Sequence, residues 1–257
     1  METLLKNKKI LITGVRNKWS LAWGIAEAVA ASGGEIILTA QSERESGEIR
    51  KLAESLDKPC PVYECDITSD QEIEDLFQAL REDHGRIHGM VHAIAHARSE
   101  DLKGDFIETS REGFVHALEV SAFSLIALSR KARDLMQGEG SILTLTYMGS
   151  EKVISDYKIM GVAKAALERN LYYLAPDLGK SGIRINAISA GPVKTMSARG
   201  ISNFTDILST VRKKAPLERN ITQEDIGRTA LFLLSDLSAG ITGEILHVDC
   251  GFNIMGI

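Results

Sequence analysis

The chain is poor in cysteine and proline, and it lacks a long apolar run, an excess of basic charge and a G-x-G-x-x-G glycine fingerprint. Each absence excludes something. Three cysteines, Cys60, Cys65 and Cys250, are odd in number and have no metal-ligand spacing. They read as free thiols of a reducing, cytoplasmic compartment, with no metal site. Five scattered prolines mark no linker, and residues 1–257 read as one domain. No apolar run approaches a membrane span, and the start, METLLKNKKILIT, is too polar for a secretory signal. A formal net charge of −5 argues against non-specific nucleic-acid binding. Neither nucleic acid nor membrane is expected as a partner.

What is present is a regular alternation. Short apolar, β-prone runs occupy residues 9–13, 35–40, 61–64, 87–95, 140–146, 183–189 and 244–249. Helix-like stretches lie near 22–33, 43–56, 70–83, 112–137, 157–179 and 222–235, and Thr68, Ser69 and Asp70 give the third a start signal. Strands alternating with helices imply βαβ crossovers and a parallel sheet covered on both faces. The expected fold is α/β: a single-domain, doubly wound (Rossmann) architecture with a seven-stranded parallel sheet. Residues 195–215 belong to no βαβ unit and are expected to form a helical insertion that serves as a lid or substrate wall.

The stretch GVRNKWSLAWGIA, residues 14–26, follows the first apolar run and leads into a helix. A diphosphate bound at such a turn needs close backbone approach, free amides and a positive helix N-terminus. Gly14 tolerates the unusual dihedrals of the turn. Ser20 has a hydroxyl for a phosphate oxygen or for the helix cap, and Gly24 leaves room for close packing or a close ligand. Taken alone, the spacing G-x5-S-x3-G is met as well by a plain turn and a helix cap.

A second signal is YMGSEKVISDYKIMGVAKAALERN, residues 147–170. Tyr157 and Lys164 stand seven apart, about two helical turns, and so near one face of one helix. An ammonium beside a phenol favours the phenolate and lowers its pKa. Such a tyrosine hydrogen-bonds to, or protonates, an oxygen that gains charge. A four-residue histidine period, His84, His88, His92 and His96, would make a metal stripe on a helix. In a strand the same spacing separates neighbours by roughly 13 Å, too far to share an ion. His116 and His247 show no pattern and read as structural.

With these residues in place, the chain resembles the short-chain dehydrogenase/reductase superfamily, and within it the bacterial enoyl-acyl carrier protein reductases of type II fatty acid synthesis. The likeness runs nearly end to end, through TGVRNKWSLAWGIA, CDIT, HAIAHA, TLTYMGSEKVISDYKIMGVAKAALE, RINAISAGPVKTMSARGI and GITGEILHVDCGF. Ordinary members of the superfamily carry T-G-x3-G-x-G and Y-x3-K. Here G-x5-S-x3-G and Y-x6-K stand instead, and both departures are those of the enoyl reductase branch.

The resemblance implies NADH-dependent reduction of the trans-2 double bond of enoyl thioesters. Tyr157 and Lys164 would be catalytic, with Lys164 also holding the nicotinamide ribose, and Tyr147 a second family tyrosine at the acyl pocket. Gly14, Ser20, Leu21, Gln41, Asp66, Ile67, Ala93, Ile94, Val193 and Thr195 would hold the cofactor. Ala97, Tyr147, Met160 and Met196 would line the substrate pocket, and His96 takes a pocket position where many relatives carry an aromatic residue. Gln41, with no cation until Arg44, favours NADH over NADPH at the end of the second strand. The implied partners are acyl carrier protein, with Lys194, Arg199 and the run Arg212, Lys213, Lys214 as docking cations, and other copies of the chain in a homotetramer. Two alternatives remain: a carbonyl or alcohol dehydrogenase of the same superfamily, and a nucleotide-binding sensor without chemistry.

Overall fold

The computed structural model describes residues 3–58, 60–154, 156–193, 195 and 204–256. Seven strands form one parallel sheet: β1 (Lys9–Ile12), β2 (Glu35–Ala40), β3 (Val62–Glu64), β4 (Gly89–His92), β5 (Gly140–Thr146), β6 (Ile183–Ala190) and β7 (Ile245–Val248). Their order is β3-β2-β1-β4-β5-β6-β7, so the winding direction reverses between β1 and β4. Ile10 pairs with Ile36 on one side and with Gly89 on the other. A crevice at such a reversal is the usual ligand site of an open α/β sheet.

Side chains alternate across a strand, and β1 shows how that builds two cores. Ile10 and Ile12 face one cluster with Trp23, Ile25 and Val29 of α1 (Leu21–Ala31), Ile49 of α2 (Glu43–Ala53) and Ile226 of α8 (Gln223–Leu234). Leu11 faces the other, with Leu76 and Leu80 of α3 (Asp70–His84), Leu128 of α5 (Ser124–Met136) and Leu167 and Leu171 of α6 (Ile159–Gly179). All three β1 side chains are fully buried, each worth about 1.5–3 kcal/mol of transfer free energy. Apolar faces on both sides of a central strand are what a doubly covered parallel sheet requires.

Helix starts follow the local chemistry. Ser69 accepts from the Glu72 amide at the head of α3, as its sequence signal implies. Thr222 and Asp225 form a reciprocal capping box on α8. The segment expected to be one helix over 112–137 is α4 (Arg111–Leu118), a π turn at Glu119–Phe123, and α5. This continuous run, Arg111–Met136, is by length and composition apolar enough to cross a membrane, contrary to the sequence expectation. Its apolar window is 56% buried in the fold, with Leu125, Leu128 and Leu135 in the core. It is a core helix.

The strand expected over 87–95 is shorter, because the chain leaves the sheet after His92 to wall the crevice. The stretch outside the βαβ rhythm does hold a helix, α7 (Phe204–Lys214), which buries Leu208 and Val211.

Candidate active site

One cleft of about 1120 Å³ opens at the C-terminal edge of the sheet. It runs from the β1–α1 turn past the ends of β2 and β3 to the loop after β5. Fifteen of the expected site residues line it, namely Gly14, Ser20, Leu21, Gln41, Asp66, Ile67, Ala93, Ile94, Ala97, Tyr147, Tyr157, Met160, Lys164, Val193 and Thr195, whereas Gly24, Arg212, Lys213 and Lys214 do not. Met196, Lys194 and Arg199 lie outside the described residues.

Gly14 turns the chain out of β1 with φ +82°, and a Cβ there would stand 2.1 Å from the Ala93 carbonyl oxygen. Ser20 does not cap α1 with its side chain. Its hydroxyl accepts the amides of Arg16 and Asn17 at 3.1 and 3.2 Å, which shapes the turn. Helix α1 carries no acid in its first turn, so its N-terminal field is unopposed at the cleft. Gly24 serves packing rather than a ligand: a Cβ there would lie 2.7 Å from Cβ of Gln223. Gln223 was not anticipated from sequence. Its amide donates to the carbonyls of Lys18 and Ser20 at 3.0 and 2.7 Å and so fastens the turn to α8.

At the far end of the cleft, Tyr157 is not on the helix. Lys158, with φ +41°, breaks the backbone and caps α6, which begins at Ile159. The Tyr157 and Tyr147 rings meet edge to face, 5.0 Å apart at 75°. Gly149 leaves room for that ring, since a Cβ there would lie 2.4 Å from Cδ1 of Tyr157. Burial, with Tyr147 and Glu168 nearby, pushes the Tyr157 phenol well above its ordinary pKa. The expected lowering of the phenol by Lys164 is therefore corrected: burial moves it upward instead. Lys164 is also buried, and desolvation brings its ammonium down to about 8 against the opposing field of Glu168. Its Nζ donates to the Leu145 carbonyl at 2.7 Å.

The histidines disperse. His92 is wholly buried between the hydroxyls of Thr144 and Ser124, at 3.0 and 2.8 Å. His88 accepts the Lys9 amide on its Nδ1 at 3.0 Å, and His84 meets the Tyr63 hydroxyl. Among the described residues no group of three or more His, Cys, Asp or Glu side chains could hold a metal. His116, expected to be structural only, lines the cleft and shares a 2.7 Å hydrogen bond with His96. Twenty residues separate the two, so no local spacing could have paired them.

A parallel, doubly wound sheet with an amide-rich turn, an open helix N-terminus and a buried lysine around one crevice defines a dinucleotide-binding α/β protein. Sequence comparison sharpens that class. Residues 14–253 match the family profile described as enoyl-(acyl carrier protein) reductase. The chain is 48% identical over 254 residues to the Bacillus cereus protein named enoyl-[acyl-carrier-protein] reductase [NADH] FabI, covering 98% of this chain and 99% of that one. A crystal structure of the Bacillus cereus enoyl-acyl carrier protein reductase with NADP+ and indole naphthyridinone superposes with a TM-score of 0.98 at 48% identity, over 99% of this chain and 100% of that one. The Anaplasma phagocytophilum reductase in complex with NAD gives 0.96 at 46% identity, over 100% and 98%. The chain belongs to the bacterial enoyl-acyl carrier protein reductase family, within the short-chain dehydrogenase/reductase superfamily.

Proposed function

We propose that the chain catalyses the NADH-dependent reduction of the trans-2 double bond of enoyl thioesters carried on acyl carrier protein. The observation that carries this reading is the convergence of the β1–α1 turn, Lys164, Tyr147 and Tyr157 on one cleft. The residues suit a dinucleotide: the turn has backbone amides and an acid-free helix start, and a lysine ammonium stands further along. Gly14, Ser20 and Leu21 would hold the diphosphate, Asp66 and Ile67 the adenine end, and Ala93, Ile94, Val193 and Thr195 the rest of the cofactor. Gln41 follows β2, and its backbone N–H donates to the Glu45 carboxylate at 3.3 Å. That carboxylate pairs with Arg16 at 2.7 Å, and both line the cleft; the preference for NADH over NADPH is supported by the neutral Gln41 at this place.

When bound, NADH supplies a hydride for the β-carbon of the enoyl thioester. Tyr157, held protonated by burial, donates a hydrogen bond to the thioester carbonyl and stabilises the enolate charge that develops there. Lys164 holds the ribose hydroxyls with its ammonium. Tyr147, Ala97 and Met160 bound the acyl chain, and α7 belongs to the substrate-binding segment of a single 1–257 catalytic domain. The α-carbon takes its proton from solvent.

The test is the loss of NADH absorbance with a crotonyl thioester, run beside a simple ketone. Thioester turnover supports the reading. Ketone turnover alone replaces it with the carbonyl dehydrogenase reading, and NADH binding without turnover replaces it with the sensor. Arg212, Lys213 and Lys214 are exposed in the last turn of α7, whose Ile207 lines the cleft. They supply cations for an acidic carrier protein. Neutralising all three raises KM for the carrier-bound substrate about three- to tenfold, as rim charges do, and spares a coenzyme A thioester. An equal effect on both substrates removes that docking assignment.

The chain also associates with itself. Exposed Phe114, Val115 and Phe123 on the α4–α5 run and Tyr172 and Tyr173 on α6 place apolar area where a further copy would cover it. Light scattering in solution is expected to give four copies. A monomer at assay concentration would rule the assembly out. The three thiols, none of them in a disulfide, accord with a cytoplasmic site of action.

A further inference from the structure

The same helix that carries Lys164 carries Glu168 one turn on, and its carboxylate is buried. A single oxygen, Oε1, accepts the Thr146 hydroxyl at 2.5 Å and the Ser150 hydroxyl at 2.6 Å. Thr146 ends β5 and Ser150 ends the short turn that follows, so the two donors bracket Tyr147. Lys164 meanwhile holds the carbonyl of Leu145, the residue before Thr146. One face of α6 thus grips consecutive residues of the strand end, and the Tyr147 ring leaving that grip meets the Tyr157 ring edge to face.

We propose that Glu168 is a positioning residue of the reductase: its carboxylate fixes the Tyr147 turn against α6 and orients Tyr157 through the ring contact. The inference rests on the function proposed above. The hydroxyl bonds set the turn, and as a secondary effect the carboxylate's field raises Lys164 against its desolvation. Glutamine at this position preserves shape and one acceptor oxygen but abolishes the charge.

The experiment compares wild type with Glu168→Gln and Ser150→Ala in two assays, crotonyl thioester reduction and NADH binding by fluorescence, each as a function of pH. Glu168→Gln is expected to lower kcat about tenfold through a displaced Tyr157. It is also expected to move the alkaline loss of NADH binding to lower pH by about one unit. Ser150→Ala retains the charge, so it lowers kcat and leaves that pH midpoint in place. A Glu168→Gln protein with unchanged kcat overturns the proposal. If Glu168→Gln does not fold, Ser150→Ala decides: an unchanged kcat overturns the positioning role. Should wild type bind NADH and reduce no thioester, the proposed function fails by itself, and the binding midpoint still tests the link between Glu168 and Lys164.

Discussion

Replacing Lys164 by methionine is expected to abolish useful turnover and, in the same protein, to raise the stability of the cofactor-free fold. Lys164 has 6% of its surface exposed, and burial brings its ammonium from 10.5 to about 8. A charged group whose native pKa lies below its unfolded value opposes folding. The penalty is complete below about pH 8, declines as pH rises, and is gone once the unfolded lysine has also lost its proton above 10.5. Each pKa unit corresponds to about 1.4 kcal/mol. Methionine removes the penalty but forfeits the bond to the Leu145 carbonyl, worth about 1–2 kcal/mol. The net gain at pH 7 is about 1.5–2.5 kcal/mol, whereas at pH 10.5 only about 0.4 kcal/mol of the penalty remains and the lost bond leaves the variant about 1 kcal/mol less stable than wild type. Function moves the other way. Loss of a charged donor to the ribose hydroxyls weakens NADH about ten- to a hundredfold, and turnover falls at least as far. Urea midpoints at pH 7 and 10.5 without cofactor, together with an NADH titration, check both halves. A destabilised, NADH-competent variant would show that Lys164 is structural.

That opposition explains why some of the site was legible in the sequence and some was not. Strand and helix positions follow from apolar periodicity, and because β1 is buried on both faces its run KILI is apolar at every position after Lys9. The parallel order then places each strand's C-terminal end at the same edge, so loops far apart in sequence line one cleft. Residues with local signatures accordingly lie along the cleft: Gly14 at a strand exit, Tyr157 and Lys164 at a fixed spacing.

What the sequence did not reveal depends on local backbone breaks or on contacts across the fold. The helical spacing of Tyr157 and Lys164 suggested a shared helix, but the positive φ of Lys158 starts α6 only at Ile159. Proximity of a lysine suggested an acidic phenol, but burial reverses the sign. His96 and His116 meet because the loop after β4 folds back over α4, and no periodicity encodes that. Gln223 reaches the β1–α1 turn from more than two hundred residues away. Glu168 was the one omission with a local signal, since it stands one turn beyond Lys164 on the same helix.

The other large effect concerns Gly14, where two separate constraints meet. Its φ of +82° is the left-handed region, and a Cβ built there would lie 2.1 Å from the oxygen and 2.5 Å from the carbon of the Ala93 carbonyl. Alanine therefore costs about 1–2 kcal/mol for the backbone conformation and about 1–3 kcal/mol more for the overlap. The overlapping atoms are backbone at the end of β4, which a rotamer change cannot move aside. Gly85 supplies the control, because its φ of +71° is similar and nothing lies within 4 Å of its Cβ position. Gly14→Ala is expected to lower unfolding free energy by about 2–5 kcal/mol, and Gly85→Ala by the conformational part alone. Relief of the clash must push Ala93 and Ile94 away from the turn, and both line the cleft. NADH affinity should thus fall by about tenfold or more in Gly14→Ala and stay unchanged in Gly85→Ala. Equal destabilisation in the two variants, with NADH binding intact in both, would mean that the close approach of β1 and β4 at this turn has no part in forming the nucleotide site.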